Sequence, residues 1–218
     1  MGFLDRLLGR GDDEQERRGE GVAARLDALA QLEPRWSSER LRRRVRDVFF
    51  AVQRSWIERD PAVGDPYLAP ELRASQRLRI EGLVRQHRVH QLENPLIEDL
   101  DFMRYDEAAG TVTALLDMSL VETILDDRTG RLVAGDAQAK VRRRQFWTLR
   151  WEDGAWLLDD VEQPEAGARH LSAPLVGGDD LAALSPEMML RERYARGEID
   201  LELFEAEMGR LLSKERTY

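Results

Sequence analysis

Five side chains in the middle of the chain are of types that transfer protons or bind metals. They are Asp99, Asp101, Asp117, His87 and His90. A carboxylate acts as a general base only where its surroundings bring its pKa close to the working pH. The i, i+3 spacing of His87 and His90 would suit a metal only if a carboxylate joined them. Both histidines are better explained by the end of a helix, where a cationic ring interacts well with the helix dipole.

Asp117 alternates with the core positions of a predicted strand, in register with Ser119 and Thr123 on the more polar side. We therefore expect its carboxylate to be solvated or paired with a cation. The sequence contains no phosphate-binding loop, no HExxH motif and no GxSxG elbow. It also contains no cysteine, which excludes disulfides and thiolate metal sites. We expect no enzymatic activity, no cofactor and no metal site.

The composition limits where the chain works and what it binds. Its 218 residues carry a net charge of −9, which argues against a protein that coats nucleic acid. No apolar run approaches the roughly 20 residues that span a bilayer. The N-terminus lacks the features of a secretory signal, and Arg6 stands where a myristoylation motif needs serine or threonine. The sequence favours a cytoplasmic protein.

The N-terminal third predicts a short apolar patch, a linker and a helix. Residues 9–20 are polar and contain glycines, which indicates a flexible linker within an amphipathic N-terminus spanning 1–20. Residues 21–33 have helical apolar spacing, and Pro34 ends that helix. The patch before the linker is either a frayed end or a weak foot for a membrane surface or partner. Its members are Phe3, Leu4, Leu7 and Leu8.

Two longer helices follow. The first begins at a cap formed by Ser37 or Ser38 and ends at Asp60-Pro61. The arginines from Arg40 to Arg46 lie largely off its apolar face, as on a solvated helix surface. The second helix spans about 70–87. The apolar stripe of the first helix consists of Leu41, Val45, Val48, Phe49, Val52 and Trp56.

From residue 89 onward the apolar period becomes two, which indicates β-strands. We predict four strands joined as a meander, at 92–105, 111–126, 132–151 and 155–163. Asp153-Gly154 suits a two-residue type I′ turn. That turn sets three cross-strand pairs: Trp151 with Trp156, Leu149 with Leu158, and Trp147 with Asp160. The predicted fold is α+β, with helices packed on a curved antiparallel sheet.

A sheet that curves around two helices can leave an apolar cavity at its wide end. Two interpretations stay open for the large side chains that face the helices: a filled core or a ligand pocket. The predicted lining consists of Phe49, Val52, Trp56, Leu72, Leu83, Leu116, Met118 and Trp147.

Three consecutive arginines occupy one predicted strand. Arg142 and Arg144 share one face, and Arg143 points to the other. If Arg143 faces the helices, it needs an acidic partner, which a helix could supply. A nucleic-acid patch would require this run to join the arginines of the first long helix, and exposed aromatics between them are missing.

The chain ends in a predicted linker at 164–184 and a helical hairpin at 185–212. Ser185 and Asp200 cap its helices, and Ile199 can pack on Phe204 as a hydrophobic staple. About thirty residues bury too little surface to fold alone, so the hairpin should lie on the main domain, another copy or a partner. Its predicted contact residues are Met188, Met189, Tyr194, Ile199, Phe204, Met208 and Leu211.

Residues 36–163 resemble a known domain in the segments VFFAVQRSWIERD, PYLAPEL, LENPLIEDLDF, RTGRLVAGD and FWTLRWEDGAWLLDDVEQ. The domain occurs in the import-motor anchor of the inner-membrane translocase (the Tim subunit forty-four), a mitochondrial large-ribosomal-subunit protein and many bacterial proteins. The resemblance implies a nuclear-transport-factor-two-like cone spanning 21–163 and a non-enzymatic role near lipid. RYARGEIDLELFEAEMGRLL is similar to the SHOCT element, which implies oligomerisation or docking.

Together these features predict a non-catalytic adaptor. Its cone holds an apolar ligand, lipid or peptide, and its C-terminal hairpin mediates self-association or binds a protein partner. A location peripheral to the inner face of the plasma membrane fits this interpretation. Two alternatives stay open: a small-molecule enzyme on the same fold, and an RNA- or ribosome-associated module.

Overall fold

The protein is an α+β structure with one four-stranded antiparallel sheet, as predicted. The computed structural model describes residues 3–172, 190, 193, 194 and 199–215. Short 3-10 turns occupy Pro34–Trp36 and Asp65–Tyr67. The other elements are α1 (Phe3–Leu29), α2 (Ser38–Glu58), α3 (Pro61–Gly64), α4 (Pro70–Arg85), β1 (Arg88–Asp106), β2 (Thr111–Asp126), β3 (Leu132–Glu152), β4 (Ala155–Glu162), α5 (Pro164–Gly167), α6 (Arg169–Ser172) and α7 (Leu201–Glu215).

The strands pair in sequence order, which confirms the predicted meander. One side of the sheet, here called the helix-facing side, packs against α1 and α2 and holds the main hydrophobic core. Leu116 and Met118 of β2 point to this side, and Leu115 points to the other, here called the outer side. This alternation follows from the two-residue period of a strand.

Helix α2 forms where the sequence predicted it. Ser37 is the N-cap, and its Oγ accepts a hydrogen bond from the backbone N–H of Arg40 at 3.4 Å. The predicted stripe is buried from Leu41 to Val52, while Trp56 is only partly buried. The helix ends at Glu58, and Arg59 follows as its C-cap in a left-handed conformation with φ 54°. This end lies directly before Asp60-Pro61, the predicted stop.

Helix α1 corrects the predicted linker at 9–20, because one continuous helix runs from Phe3 to Leu29. The reason is a tertiary contact that polar composition does not reveal. The Arg18 side chain donates from Nε to the Met103 carbonyl at 2.9 Å, and Gly19 lies close against Asp101 of β1. Docking on β1 orders a segment whose isolated sequence would favour a coil.

The hairpin of β3 and β4 confirms two of three predicted pairs. Trp151 faces Trp156 and Leu149 faces Leu158, across a turn whose two residues both have positive φ. Trp147, however, faces Val161 and not Asp160. The register shifts by one residue between positions 148 and 149, and such a bulge is not visible in a sequence alternation.

The first part of the predicted linker at 164–184 is also structured. Helices α5 and α6 pack on the outer side of the sheet, where Met103, Leu115 and Phe146 form a small buried cluster. A Cβ at Gly167 would come within 2.0 Å of the Phe146 ring, so this helix approaches the sheet closely. His170 is buried and lies 2.7 Å from Glu162. Residues 173–184 lie outside the described part of the chain.

The C-terminal segment contacts the main domain of its own chain. Asp200 caps α7 by accepting the Leu203 N–H at 2.9 Å. Leu190 and Ile199 bury against Leu32, with Phe204 and Met208 packed beside them. The Arg210 guanidinium donates to the Leu32 carbonyl at 2.8 Å. The sequence left three docking surfaces open for the hairpin: the main domain, another copy or a partner. In the structure this segment packs on the main domain of its own chain.

Several predicted contact residues of the hairpin fall outside this description. Met188, Met189 and the Leu211 side chain are outside the described residues. Tyr194 is exposed and stacks on Phe204 with ring centroids 4.9 Å apart. A second anchor joins the segment to the sheet, because Arg193 pairs with Glu107 at 2.8 Å, between β1 and β2.

Candidate functional site

Five of the eight predicted pocket residues lie in the main hydrophobic core. Phe49, Val52, Leu116, Met118 and Trp147 are all buried there. Phe49 contacts Trp147 with ring centroids 6.1 Å apart, which joins α2 to β3. These five residues are brought together as predicted, and the entry of a ligand among them stays a prediction.

The other three residues lie at the margin of the core. Trp56 and Leu72 are partly buried against it, and Leu83 is half-buried on α4. Leu72 and Leu83 lie at the margin because α4 buries little of its surface, and Ile80 is the only buried residue of its 16. A helix with so little buried surface is held weakly and can move at low cost. The sequence pattern did not reveal this loose packing.

A groove of about 240 Å³ lies between the C-terminal ends of α2 and α4. Its apolar lining is supplied by Pro61, Ile80 and Val84. The Val84 side chain is 45% exposed, so the groove is open to solvent. Three charged residues complete the lining: Arg59, Glu81 and Arg85.

At one end, the helix-facing side of the sheet carries a polar cluster, here called the open end. It consists of Trp56, His90, Glu122 and Arg143. The Trp56 and His90 rings meet edge to face at 5.6 Å. His90 Nε2 lies 2.6 Å from Glu122 Oε1, and Arg143 forms an ion pair with the other carboxylate oxygen. Two cationic or hydrogen-bonding partners thus converge on one carboxylate.

The charge state of Glu122 follows from these contacts. Burial raises the pKa of its carboxyl, and hydrogen bonds from Arg143 and His90 lower it by more. The result is a pKa below the ordinary value, so Glu122 is ionised at neutral pH. Arg143 faces the helices, the case in which the sequence required an acidic partner, and that partner comes from β2 and not from a helix.

A second charged network ties the β2–β3 turn to the ends of α2 and α4. Arg59 pairs with Asp127 at 2.5 Å, and His87 Nδ1 lies 3.4 Å from the same carboxylate. The hydrogen bond from Arg59 lowers the pKa of Asp127. His87 lies directly after the end of α4, as predicted, whereas His90 lies within β1 opposite Ile124, so its predicted place at a helix end is wrong. No group of three metal-ligating side chains occurs in the described part of the chain.

The three aspartates singled out in the sequence lie elsewhere. Asp117 receives two hydrogen bonds from Arg144, at 2.8 and 2.7 Å, which confirms the predicted salt bridge. Asp99 accepts the backbone N–H of Leu100 at 2.8 Å. Burial, and then the neighbouring Asp99, raise the pKa of Asp101. Their positions along β1 and β2 do not place them at the open end.

The two arginine runs do not merge into one basic face. Arg44 donates to the Trp156 carbonyl at 2.6 Å, and Arg42 donates to the Leu100 carbonyl, so both hold α2 on the sheet. Arg142 and Arg144 lie on the outer side, beside Glu98 and Asp117. These arginines therefore do not form the continuous basic face that would favour RNA binding.

Sequence reasoning missed Glu122 as the centre of the open end. A signal was available, because Glu122 continues the alternation of Met118 and Leu120 and so points toward the helices. The hydrogen-bond partners of Glu122 could not be predicted from this alternation. The ladder between β2 and β3 jumps from Lys140 to Gly135 opposite Glu122, which sets where Arg143 lies.

Comparison with known families and structures gives one informative match. The Tim44-like domain family matches residues 22–163. Among curated proteins, none is significantly similar to the chain. A crystal structure of the intermembrane space region of the chloroplast protein ARC6 is similar over 51% of this chain and 90% of that chain, at 7% identity and a TM-score of 0.38. No helix in the described residues has the length and apolarity to cross a membrane.

Proposed function

Because the chain belongs to the Tim44-like domain family, we propose that it is a non-catalytic adaptor protein that works at a membrane surface. The adaptor binds an apolar ligand, lipid or peptide segment between α4 and the helix-facing side of a nuclear-transport-factor-two-like sheet. Its C-terminal SHOCT-like segment provides a second contact, with a partner or another copy. The inner face of the plasma membrane is the proposed location.

The loose packing of α4 is the observation that carries this proposal. Ile80 is the only buried residue of this helix, and the half-buried Trp56 and Leu83 add apolar surface near the margin of the core. Binding sites for apolar molecules combine such surface with a few polar groups that orient the ligand. Arg59, Glu81 and Arg85 line the groove beside α4 and provide such polar groups.

One valine and one leucine on α4 provide a matched test. Val84 lines the groove, and Leu78 on the same helix is more exposed, at 64%, and does not line it. Fluorescence of cis-parinaric acid should rise when it binds the protein. We expect Val84→Ser to weaken that binding several-fold and Leu78→Ser to leave it unchanged. Equal effects of the two substitutions, or no binding by the unaltered protein, would contradict a site at this groove.

Native mass spectrometry of protein purified from its own cells tests the same proposal without a chosen probe. A lipid or peptide retained with the protein would support the adaptor function. The Val84→Ser variant should lose this species in proportion to its loss of cis-parinaric acid binding. A protein that carries no such species, and takes up none from vesicles of phosphatidylglycerol and phosphatidylethanolamine, would contradict the proposal.

The C-terminal contact has its own test. Leu201 and Leu203 are exposed on α7 and are not among the residues that bury against Leu32. Their replacement by glutamate should therefore block a contact with another molecule without undoing the docking in cis. Light scattering should show a lower mass for the Leu201→Glu, Leu203→Glu variant, or a lost partner in pull-down from native extract. An unchanged mass and an unchanged set of partners would remove this part of the proposal.

A further inference from the structure

The outer side of the sheet carries a polar cavity of about 260 Å³, here called the outer cavity. This volume is slightly below the roughly 300–1,000 Å³ of pockets that enclose drug-sized ligands, so the cavity suits a small molecule. All four strands contribute to its lining, and α6 adds a wall through Arg169 and His170. Both of these side chains contact Glu162, at 2.6 and 2.7 Å, which holds the wall against the sheet.

Four of the lining residues form one row across the sheet. Arg104 of β1 is the register partner of Thr113 on β2, which in turn pairs with Thr148 on β3. Asp160 of β4 completes the row opposite Thr148. The two threonine hydroxyls lie 3.0 Å apart and form a hydrogen bond. Both threonines alternate with residues of the main core, which places the row on the outer side. The row thus has a cation at one end, hydroxyls in the middle and a carboxylate at the other end.

The Arg104 guanidinium has no partner within the described part of the chain. It is half-buried, yet it donates no hydrogen bond there and forms no ion pair. Asp106, two positions along the same strand, instead accepts the backbone N–H of Ala109 at 2.9 Å. Burial, and then repulsion from Arg104, lower the pKa of the Arg18 side chain, so this end of the row is electropositive. Such a guanidinium is well suited to bind a carboxylate through two parallel hydrogen bonds.

The other end of the row is acidic. Among the described residues, the Asp160 carboxylate accepts the backbone N–H of Val161 at 2.8 Å and has no cationic partner. The carboxylates beside it are already paired, Asp159 with Arg150 and Glu162 with the side chains of α6. An exposed carboxylate with unused acceptor capacity favours an ammonium group of a ligand.

The spacing of the two ends sets the length of the ligand. The row crosses three gaps between strands of about 4.8 Å each, so the Cα atoms of Arg104 and Asp160 lie roughly 14 Å apart. The long arginine side chain can cover part of this distance when it lies across the sheet. An extended dipeptide spans about 7 Å between its termini, which suits the remainder.

We propose that the outer cavity binds a free dipeptide, or another zwitterion of that length, with its carboxylate at Arg104 and its ammonium group at Asp160. The hydroxyls of Thr113 and Thr148 lie beneath the middle of the ligand, where a hydroxyl can donate to its amide carbonyl or accept from its N–H. The small volume favours dipeptides with small side chains. The outer cavity shares no lining residue with the groove at α4, and the proposal does not depend on ligand binding there.

Three matched dipeptides test the proposal on the full-length protein by isothermal titration calorimetry. They are alanyl-alanine, its N-acetyl form, which lacks the ammonium group, and its C-terminal amide, which lacks the carboxylate. We expect each blocked form to bind about tenfold more weakly than alanyl-alanine, because one charge-assisted contact is lost. Equal binding of alanyl-alanine and its N-acetyl form would reduce the cavity to an anion site and overturn the proposal. The absence of any binding by alanyl-alanine would overturn it as well.

Two substitutions assign the ends of the ligand. In the Arg104→Gln variant, alanyl-alanine should bind about tenfold more weakly and no better than its amide, since the carboxylate has lost its partner. In the Asp160→Asn variant, alanyl-alanine should bind no better than its N-acetyl form. Both variants should keep the circular dichroism spectrum of the unaltered protein. Arg104 anchors no other group, and asparagine keeps the oxygen that accepts the Val161 N–H.

A control separates this site from the overall charge of the protein. Arg40→Gln removes an exposed positive charge from α2, which packs on the helix-facing side, and should leave all three affinities unchanged. A loss of alanyl-alanine binding in Arg40→Gln equal to that in Arg104→Gln would overturn the site. An Arg104→Gln variant that still prefers alanyl-alanine to its amide would place the carboxylate elsewhere and overturn the proposed orientation.

Discussion

The two ends of the helix-facing side of the sheet are built from tryptophan in opposite ways. At one end, here called the closed end, the Trp156 ring meets those of Trp36 and Trp151 edge to face, at 5.2 and 5.5 Å. At the open end, the single Trp56 ring meets His90, and charged side chains continue from there. Apolar packing stabilises the closed end, whereas ion pairs stabilise the open end.

This difference predicts which end of the sheet opens more easily. Apolar burial stabilises by roughly 25 cal/mol per Å² and does not depend on the protonation of a side chain. Ion pairs between partly exposed side chains contribute little, with a median of about 0–1 kcal/mol. The end held by Glu122 and Arg143 should therefore open before the end held by Trp156. A binding site at the open end would need little free energy to open.

The largest expected effect compares Trp156 with Trp56. Trp156 is buried and its Nε1–H donates to the Arg35 carbonyl at 3.0 Å, so Trp156→Ala should cost about 3–5 kcal/mol of unfolding free energy. Trp56 is only partly buried, and Trp56→Ala should cost roughly half as much. Urea unfolding of both variants measures the difference. Equal losses would remove the distinction between the two ends.

Gly135 tests how tightly the backbone is packed beside the open end. Its φ is 88°, and an added Cβ would come within 2.2 Å of the Glu122 carbonyl oxygen. Gly135→Ala should therefore cost about 2–3 kcal/mol through strain and displacement of β2. Circular dichroism melts report the loss. If the variant is as stable as the unaltered protein, the bulge at 136–139 adjusts freely and the open end is softer than its contacts indicate.

Acid should destabilise the β2–β3 turn, where Asp126 pairs with Arg88. Hydrogen bonds at the β2–β3 turn, with Thr129 the largest contributor and Arg88 also involved, lower the pKa of Asp126 to about 2, against about 3.9 in an unfolded chain. A lowered pKa stabilises the fold above about pH 4, and that contribution is lost as pH falls toward 2. Asp126→Asn should thus lose stability at pH 7, with a smaller difference at pH 3. Urea unfolding at both pH values checks this, and a difference that grows in acid would contradict it.

The smallest effect concerns the turn of the closed end. Asp153 and Gly154 have φ values of 50° and 80°, as a type I′ turn requires, and nothing lies within 4 Å of a Cβ at Gly154. Gly154→Val should cost about 1–2 kcal/mol from left-handed strain alone. Gly154→Asn should cost less, because asparagine tolerates this conformation. Differential scanning calorimetry of the two variants decides, and equal losses would argue against the turn as the source of the register.

Local patterns predicted most of the main domain. Helix α2 follows from a stripe that repeats every three or four residues and from the cap at Ser37. The four strands follow from alternation, and the Asp153-Gly154 turn pairs Trp151 with Trp156. Such features depend on residues a few positions apart, so they can be read without knowing the fold. The predicted pocket residues were found by the same patterns, and five of the eight lie in one core.

Contacts between distant segments decided the rest. A bulge moved Trp147 opposite Val161, and docking on β1 made a helix of residues predicted as a linker. Residues 164–172 became part of the outer side because Gly167 fits against Phe146. Each of these outcomes depends on contacts between segments that are far apart in the sequence. Such contacts produce no periodic pattern of residues from which they could be predicted.

The sequence by itself determined α2, α4, the four strands and their order, and the family resemblance, because these rest on short-range periodicity and on turn residues. Only the tertiary structure decided that His90 and Arg143 converge on Glu122 and that α4 buries a single residue. The physical reason is that register shifts and packing density are set by the whole sheet. A single residue contributes to them only after its distant neighbours are in place.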